Sequence, residues 1–164
     1  VKSELMYSLR NLKIIGWTTI IFGALLYVSD KFKINKKLDS NFNLKSAIFV
    51  GFFQILALIP GVSRSGITIT AARMLNFDRF DSAKISFLLS IPTLAAVSFF
   101  GIRNLIITDN LNFSVVNISS IILSFIFSFI TIKFFLQYIQ KFNLDIFVYY
   151  RIVLGVLLLT YAYL

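Results

Sequence analysis

The amino-acid sequence predicts an all-α integral membrane protein with about four transmembrane helices and one re-entrant helix-turn-helix hairpin. Of its 164 residues, 58% are apolar and 19 are Phe, whereas soluble domains are about 45 to 50% apolar. A soluble domain of this length could not bury so much apolar surface, because small domains leave a large share of their surface in water. The second observation is a cluster of polar and turn-forming residues inside one apolar stretch. We therefore treat residues 1–164 as one polytopic membrane domain.

Four apolar stretches approach the length of about 20 residues that a transmembrane helix needs. In chain order they are Ile14–Ser29, Ser82–Ile102, Val115–Phe135 and Ile146–Leu164. In the first stretch Gly16 and Gly23 lie on nearly one face, so another helix can approach closely there. The second follows a polar turn at Asn76–Asp81, is expected to begin with a Ser82 cap, and contains Pro92, which should kink it.

Two of these helices carry hydroxyl groups at helical spacing, so that each set shares one face. The sets are Ser82, Ser86, Ser90 and Thr93 in the second stretch, and Ser120, Ser124, Ser128 and Thr131 in the third. Such stripes pack transmembrane helices together or line polar cavities. Both interpretations stay open for the first set. For the second set, which has no charged neighbour, we expect helix packing.

Two shorter apolar segments lie between the first two crossings. Ser46–Ile59 has 14 residues and Ile67–Leu75 has 9, so neither is long enough to cross the bilayer. We expect Pro60 and Gly61 to end the first short helix and Gly66 to let the chain turn into the second. Together the segments predict a re-entrant hairpin, whose irregular backbone is tolerated at membrane depth only where it is buried in protein or lines a water-filled cavity.

The distribution of Lys and Arg favours this hairpin over a single crossing. With a hairpin, loops 30–45, 73–84 and 133–145 share one side of the membrane and carry 10 Lys or Arg. The other side, residues 1–13 and 103–113, carries 4, whereas a single crossing would give 8 against 6. Because cytoplasmic loops carry the excess, the hairpin enters from the cytoplasm and the C-terminus lies outside. The lysine-rich loop at 30–45 has no nucleic-acid-binding fold, so we expect it to contact anionic lipid rather than nucleic acid.

The turn of the hairpin brings one arginine, three hydroxyl groups and two glycines into an apolar region. The free N–H groups and the positive dipole end of the second short helix favour an anion. Arg64 can bond two phosphate oxygens at once, and Ser63, Ser65 and Thr68 can donate to the others. A structural alternative stays open, in which Arg64 reaches a lipid headgroup and the serines pack against helices. Arg151 in the last crossing either reaches the interface or adds a second cation to this site.

This turn also carries a family resemblance. Gln54 and the run Ala-Leu-Ile-Pro-Gly-Val-Ser-Arg-Ser-Gly-Ile-Thr from Ala57 to Thr68 resemble the second signature, Pro-Gly-x-Ser-Arg-Ser-x-x-Thr, of the undecaprenyl pyrophosphate phosphatases, the bacitracin-resistance family. Every fixed position of that signature is matched, and Phe87–Pro92 and Tyr150–Gly155 resemble further family segments in the same order. The family's first signature, a carboxylate pair followed by a Ser-rich turn and a histidine, has no counterpart, since the chain contains no His. We interpret the chain as the larger, C-terminal part of a family member.

The resemblance implies an enzyme of the bacterial inner membrane. It would hydrolyse undecaprenyl diphosphate to undecaprenyl phosphate and phosphate, recycling the lipid carrier of peptidoglycan synthesis and conferring resistance to bacitracin. The residues implied as catalytic are Arg64, Ser63, Ser65 and Thr68, those implied as substrate-binding are Gly61, Gly66, Gln54 and Arg151, and Pro60 shapes the turn. The resemblance also implies an inverted-repeat architecture, of which this chain holds half, and leaves a homodimer open.

A divalent cation, Mg2+ or Ca2+, is also expected from the resemblance. No Asp or Glu lies inside any predicted crossing, so we expect the metal ligands and the general base in the missing first signature. This chain alone is then expected to be inactive.

Two other functions stay open. Inverted repeats with broken helices are also a transporter architecture, with a helix N-terminus facing the anion. The runner-up is therefore a carrier or flippase for an anionic prenyl-phosphate lipid or a small anion. A membrane assembly subunit with a purely structural hairpin is the third.

Overall fold

The computed structural model describes residues 11–32, 36–107 and 115–164. Its helices are α1 (Leu12–Asp30), α2 (Leu38–Asn41), α3 (Leu44–Ile55), α4 (Arg64–Met74), α5 (Arg79–Ile107), α6 (Val115–Lys141) and α7 (Asp145–Tyr163), with a 3-10 turn at Leu56–Leu58. Within the described ranges, α1, α5, α6 and α7 are long and apolar enough to cross a membrane. The chain is therefore a multi-pass all-α membrane protein, as the sequence predicts. Residues 1–10, 33–35 and 108–113, which belong to the loops of the charge comparison, lie outside the described residues.

Helices α1 and α7 pack closely because glycines remove side chains at their contact. A Cβ atom on Gly16 would lie 2.7 Å from the side chain of Leu159, and one on Gly155 would lie 2.5 Å from Ile20. A Cβ atom on Gly23 would lie 3.3 Å from Arg151. The prediction that Gly16 and Gly23 admit a close neighbour is confirmed, and the neighbour is α7.

The two helices run antiparallel. The ammonium group of Lys13, at the N-terminal end of α1, lies 4.1 Å from the ring centroid of Tyr163, at the C-terminal end of α7. The beginning of α1 and the end of α7 therefore share one side of the membrane.

Helices α3 and α4 form the predicted re-entrant hairpin, because both of its ends meet the same loop. The backbone N–H of Lys36, before α3, donates to the carbonyl oxygen of Asn76, after α4, at 3.2 Å. Arg73 at the end of α4 donates to the carbonyl oxygens of Asp30 and Phe32 at 2.8 and 3.1 Å. A segment whose ends touch each other cannot cross the bilayer. We call this region, where Asp30, Arg73, Phe77 and Arg79 meet, the hairpin base.

The tip of the hairpin lies near the middle of the membrane. The hydroxyl of Thr18 in α1 donates to the carbonyl oxygen of Pro60 at 2.6 Å, and that of Thr19 donates to Gly61 at 3.3 Å. Thr18 lies 12 residues before Asp30 at the base, which at 1.5 Å per residue is about 18 Å. That is roughly half of a hydrocarbon core about 30 Å thick.

Helix α4 lies in the interior of the protein, which its composition requires. Every residue from 67 to 73 is buried, although the segment contains two threonines and an arginine. Two apolar clusters enclose it. One is centred on Leu26, Ile69, Ala83, Ile139, Leu144 and Val148, and the other on Val50, Ala71, Ala72, Phe77 and Ile85. Polar side chains are tolerated here because protein groups, and not lipid chains, surround them.

The end of α3 and the beginning of α5 differ from the predicted boundaries. Helix α3 ends at Ile55 and tightens into the 3-10 turn, where the sequence predicted a helix as far as Ile59. The predicted Ser82 cap is wrong, because α5 begins three residues earlier. Asp78 takes this role, since its carboxylate accepts the backbone N–H of Asp81 at 2.7 Å, and Ser82 is buried inside the helix.

The two hydroxyl stripes have different surroundings. In the first, Ser86 bonds to Thr68 of α4 at 2.7 Å and Thr93 accepts a hydrogen bond from Arg64. This stripe therefore packs helices at one end and meets the tip arginine at the other. The second stripe is exposed at all four positions. Its predicted packing therefore stays a prediction, because within the described residues α6 packs against the rest of the chain near its C-terminal end, through residues such as Phe135 and Ile139.

Candidate anion site at the hairpin tip

The backbone of the tip reverses at two residues with positive φ. Gly61 has φ 91° and Ser63 has φ 65°, a region that favours glycine. A Cβ atom on Gly61 would also collide with Thr18 and lie 2.7 Å from the carbonyl oxygen of Ile15. The prediction that Gly66 forms the turn is wrong, because Gly66 lies inside α4.

Helix α4 begins three residues earlier than predicted, and Ser63 caps it. The Ser63 hydroxyl accepts the backbone N–H of Gly66 at 3.3 Å, which satisfies one of the free donors of the first turn. The N–H groups of Arg64 and Ser65 have no acceptor among the described residues. This N-terminus therefore keeps free donors together with the positive end of the helix dipole.

Arg151 points inward to the tip and not to the membrane interface. Its side chain reaches from α7, and the residue is only 8% exposed. Its Nη2 group donates to the carbonyl oxygens of Gly61 and Val62 at 2.9 and 2.6 Å. A Cβ atom on Gly66 would lie 2.6 Å from Nη1 of Arg151, so the glycine makes room for the guanidinium. Among the described residues, no carboxylate forms an ion pair with it.

The side chain of Arg64 points toward α5, whereas that of Arg151 comes from α7. It is half-buried, and its Nη1 group donates to the hydroxyl of Thr93 in α5 at 2.8 Å. Thr93 lies 14 residues after Arg79 at the base, or about 21 Å along α5. Arg64 therefore stays deep in the membrane, which disagrees with the alternative in which it reaches a lipid headgroup.

Thr68 and Gln54 are predicted site residues that do not line the cavity beside the tip. Thr68 is 1% exposed, and its hydroxyl contacts Ser86 and the carbonyl oxygens of Arg64 and Ser65. It therefore joins α4 to α5. Gln54 is half-buried near the end of α3 and is not part of the cavity wall.

A cavity of about 520 Å³ opens beside the tip. Its polar wall includes Gly61, Ser63, Ser65, Gly66 and Arg151. The rest of its wall is mostly apolar and includes Leu26, Phe135, Phe147 and Leu154. A cationic, donor-rich wall next to apolar walls suits an anion that carries a hydrocarbon chain.

The described residues do not fit a metal site. No three His, Cys, Asp or Glu side chains come together among them in a way that would hold a metal ion. The tip itself presents only cations, hydroxyls and amide groups. This donor set fits phosphate oxygens and would repel a divalent cation.

Sequence reasoning missed the arginine at the hairpin base. The sequence predicts Arg73 and Asp30 as residues of the loops 73–84 and 30–45, but the structure buries both completely or nearly so. Arg73 also donates to the carbonyl oxygen of Phe77 at 2.6 Å. The signal was present, because both residues directly adjoin apolar helices, where an isolated charge is expensive. Thr18 and Thr19, a hydroxyl pair in the middle of α1, likewise indicated a partner.

Comparison with known proteins identifies relatives over nearly the whole chain. A family model described as bacitracin resistance protein BacA matches residues 1–157. An undecaprenyl-diphosphatase of Pelagibacter ubique is 56% identical over 155 residues, which cover 94% of this chain and 60% of the relative. Proteins of the same name from Jannaschia and Elusimicrobium minutum are 38% and 42% identical, covering 95% and 93% of this chain and 58% and 57% of theirs. The chain thus spans less than two thirds of the length of these relatives.

Proposed function

Because this chain belongs to the bacitracin resistance protein BacA family, we propose that the protein containing it hydrolyses undecaprenyl diphosphate to undecaprenyl phosphate and inorganic phosphate. One observation carries the proposal beyond the family. Arg151 is a buried cation without a carboxylate partner among the described residues, and it lines an apolar-walled cavity near the membrane midplane. Such a position suits a phosphate that is carried by a prenyl chain.

The tip supplies the electrostatic part of this reaction. Phosphoryl transfer depends on positioning and on stabilising charge at the phosphoryl oxygens. Arg64, Arg151 and the free N–H groups of α4 supply positive charge, and Ser63 and Ser65 supply hydroxyl donors. Gly61 and Gly66 keep the backbone and the guanidinium close to the ligand. Thr68 acts indirectly by fixing α4 on α5, and Pro60 shapes the tip directly after the 3-10 turn at Leu56–Leu58.

The tip does not supply a general base. A serine hydroxyl becomes a nucleophile only beside a base, and among the described residues no carboxylate or histidine adjoins Ser63 or Ser65. We propose that the base and the ligands of a divalent cation, Mg2+ or Ca2+, come from outside the described residues. The cation would supply Lewis-acid charge stabilisation when bound.

The proposed cellular role follows from this reaction. Removing a phosphate from undecaprenyl diphosphate returns the lipid carrier of cell-wall synthesis and removes the target of bacitracin. The protein would reside in the bacterial cell membrane with its lysine-rich base in the cytoplasm and its C-terminus outside. The antiparallel pair α1 and α7 supports placing the beginning of α1 and the C-terminus on one side. A homodimer stays a prediction, which the mass of the protein in detergent would test.

A carrier or flippase is the second candidate, favoured by an anion site at a broken helix near the midplane. The two functions differ in what happens to the diphosphate. We would reconstitute the complete gene product in vesicles with a prenyl diphosphate in one leaflet. Enzymatic function predicts release of phosphate in proportion to loss of diphosphate. Movement of intact diphosphate to the other leaflet without phosphate release would favour the carrier.

A further inference from the structure

The hairpin tip holds two arginines that face two different spaces. Arg151 lines the cavity between the tip and helices α1, α6 and α7, whereas Arg64 bonds to Thr93 in α5 and is not part of the cavity wall. Both adjoin one short turn, because Arg151 of α7 bonds to Gly61 and Val62, only two to three residues before Arg64. The two phosphates of a diphosphate end in different products. Two separate cations at one turn therefore suggest that each arginine binds one of the two phosphates.

Arg151 offers hydrogen-bond donors and positive charge to an anion in the cavity. Its Nη2 group is occupied by two carbonyl oxygens, but its Nη1 and Nε groups make no hydrogen bond with the described residues. Nη1 lies beside the first turn of α4, next to Gly66. The residue is more than nine-tenths buried, and carbonyl dipoles alone do not neutralise its charge. A ligand anion in the cavity would accept hydrogen bonds from Nη1 and Nε and would offset the positive charge of the guanidinium.

The cavity walls indicate which phosphate this is. Leu26, Phe135, Phe147 and Leu154 surround the same space as Arg151, so a hydrocarbon chain lying there holds its own phosphate next to that arginine. A terminal phosphate that extends past the N-terminus of α4 would approach Arg64, which is the first residue of that helix. Resting on the proposed function, we propose that Arg151 binds the phosphate that stays on the prenyl chain, and that Arg64 serves the phosphate that leaves.

The hydrolysis balances on this assignment. A water oxygen forms a bond to the terminal phosphorus, and the bond between that phosphorus and the bridging oxygen breaks. The bridging oxygen keeps the electron pair and stays on the prenyl phosphate beside Arg151. The oxygen of the water leaves in the inorganic phosphate, and its protons go to that phosphate or to the general base.

Binding of a prenyl monophosphate separates the two arginines. We would measure equilibrium binding of farnesyl phosphate to the complete gene product in nanodiscs, with farnesol and inorganic phosphate as probes lacking one half of the ligand. Arg151→Ala should weaken binding of farnesyl phosphate at least tenfold. Arg64→Ala should change it less than threefold while abolishing most turnover of farnesyl diphosphate. Arg103→Ala, which removes an exposed arginine of α5, should change neither quantity.

A second variant guards against loss of folding in Arg151→Ala, whose guanidinium also braces the turn. Gly66→Ala would place a Cβ atom 2.6 Å from Nη1 of Arg151 and displace Nη1 without removing the charge, while Nη2 can keep its bonds to the turn. Alanine is also a better helix former than glycine. We therefore expect Gly66→Ala to retain its melting temperature and yet to bind farnesyl phosphate several-fold more weakly.

The outcomes separate this inference from the proposed function. Unchanged farnesyl phosphate binding in well-folded Arg151→Ala and Gly66→Ala, or an equal loss in Arg64→Ala, would overturn the assignment even if the wild type is an active phosphatase. Conversely, a wild type that binds farnesyl phosphate through Arg151 but releases no phosphate from farnesyl diphosphate would overturn the phosphatase proposal and leave the cavity assignment standing. Binding of farnesol as tight as that of farnesyl phosphate would overturn any phosphate site in the cavity.

Discussion

The base and the tip of the hairpin both bury arginines, but different groups surround the positive charge in the two regions. At the base, Arg73 is completely buried and its Nε group lies 3.4 Å from the carboxylate of Asp30. The same carboxylate accepts hydrogen bonds from Nε and Nη2 of Arg79 at 2.8 and 2.9 Å. At the tip, Arg151 is nearly as buried, but carbonyl oxygens are its only acceptors among the described residues.

This difference separates structural from functional charges. Arginines of both regions bond to carbonyl oxygens, so burial and hydrogen bonding alone do not distinguish them. The carboxylate does, because it offsets the charge at the base and leaves no requirement for a ligand. At the tip the charge stays uncompensated, which proteins sustain at membrane depth mainly where an anion binds.

Removing the carboxylate should produce the largest effect. Asp30→Ala would leave Arg73 and Arg79 facing each other, and breaking such a buried pair typically costs about 3 to 5 kcal/mol of unfolding free energy. We expect this loss in denaturant unfolding of the protein in detergent. Asp39→Ala, which removes an exposed carboxylate of α2, should change the free energy by less than about 0.5 kcal/mol. Equal stability of the two variants would mean that the ion pairs of Asp30 do not stabilise the hairpin base.

Neutralising the tip should affect catalysis more than folding. Deleting one preorganised donor to a transition state typically lowers turnover about 10² to 10³-fold, so we expect at least this loss for Arg64→Ala. Arg64→Lys should recover little, because an ammonium group cannot reproduce the planar fork of a guanidinium. Phosphate release from farnesyl diphosphate by the complete gene product measures the effect, together with a thermal melt of each variant. A well-folded Arg64→Ala protein with near-normal turnover would indicate that Arg64 has only a structural role at the tip.

The contact between α4 and α5 should show an intermediate effect on stability. Thr68→Val keeps the shape of the side chain but leaves the buried Ser86 hydroxyl without its partner at 2.7 Å, which costs about 1 to 3 kcal/mol. Turnover per folded molecule should change little, because Thr68 does not reach the cavity. Thr131→Val, at an exposed position of α6, is the matched control. A large drop in turnover without loss of stability would show that Thr68 contacts the substrate.

The smallest perturbation tests the geometry of the hairpin itself. Single cysteines at Lys37 and at Asn76 should both be protected from an impermeant thiol reagent in intact cells, because the proposed orientation places the hairpin base in the cytoplasm. A cysteine at Arg103, near the other end of α5, should be labelled. Labelling at only one of the two base positions would contradict a re-entrant hairpin, and labelling at both would reverse the orientation.

Local rules were sufficient to predict the class of the fold and the hairpin. The lengths of the apolar stretches and the Pro60–Gly61 break are properties of neighbouring residues, and the structure confirms what they predict. The pairing of Asp30 with Arg73 could not be predicted in this way, because 43 residues separate the partners. Arg73 therefore looked like one more cytoplasmic cation.

The candidate site was predicted in composition but not in arrangement. The signature located Arg64, Ser63 and Ser65 correctly at the N-terminus of a short helix. Which way Arg151 points depends on how α7 packs against the tip, and the sequence alone left that open. Gly66 was expected in the turn, but its place is set by the space that the Arg151 guanidinium needs.

The contrast between base and tip can be tested in one experiment, the stabilisation of the protein by a non-hydrolysable prenyl bisphosphonate. A ligand that binds only the folded state raises the melting temperature. Asp30→Asn should lower the melting temperature but retain the ligand-induced increase, whereas Arg151→Ala should lose most of that increase. An increase that persists in Arg151→Ala and disappears in Asp30→Asn would contradict the account.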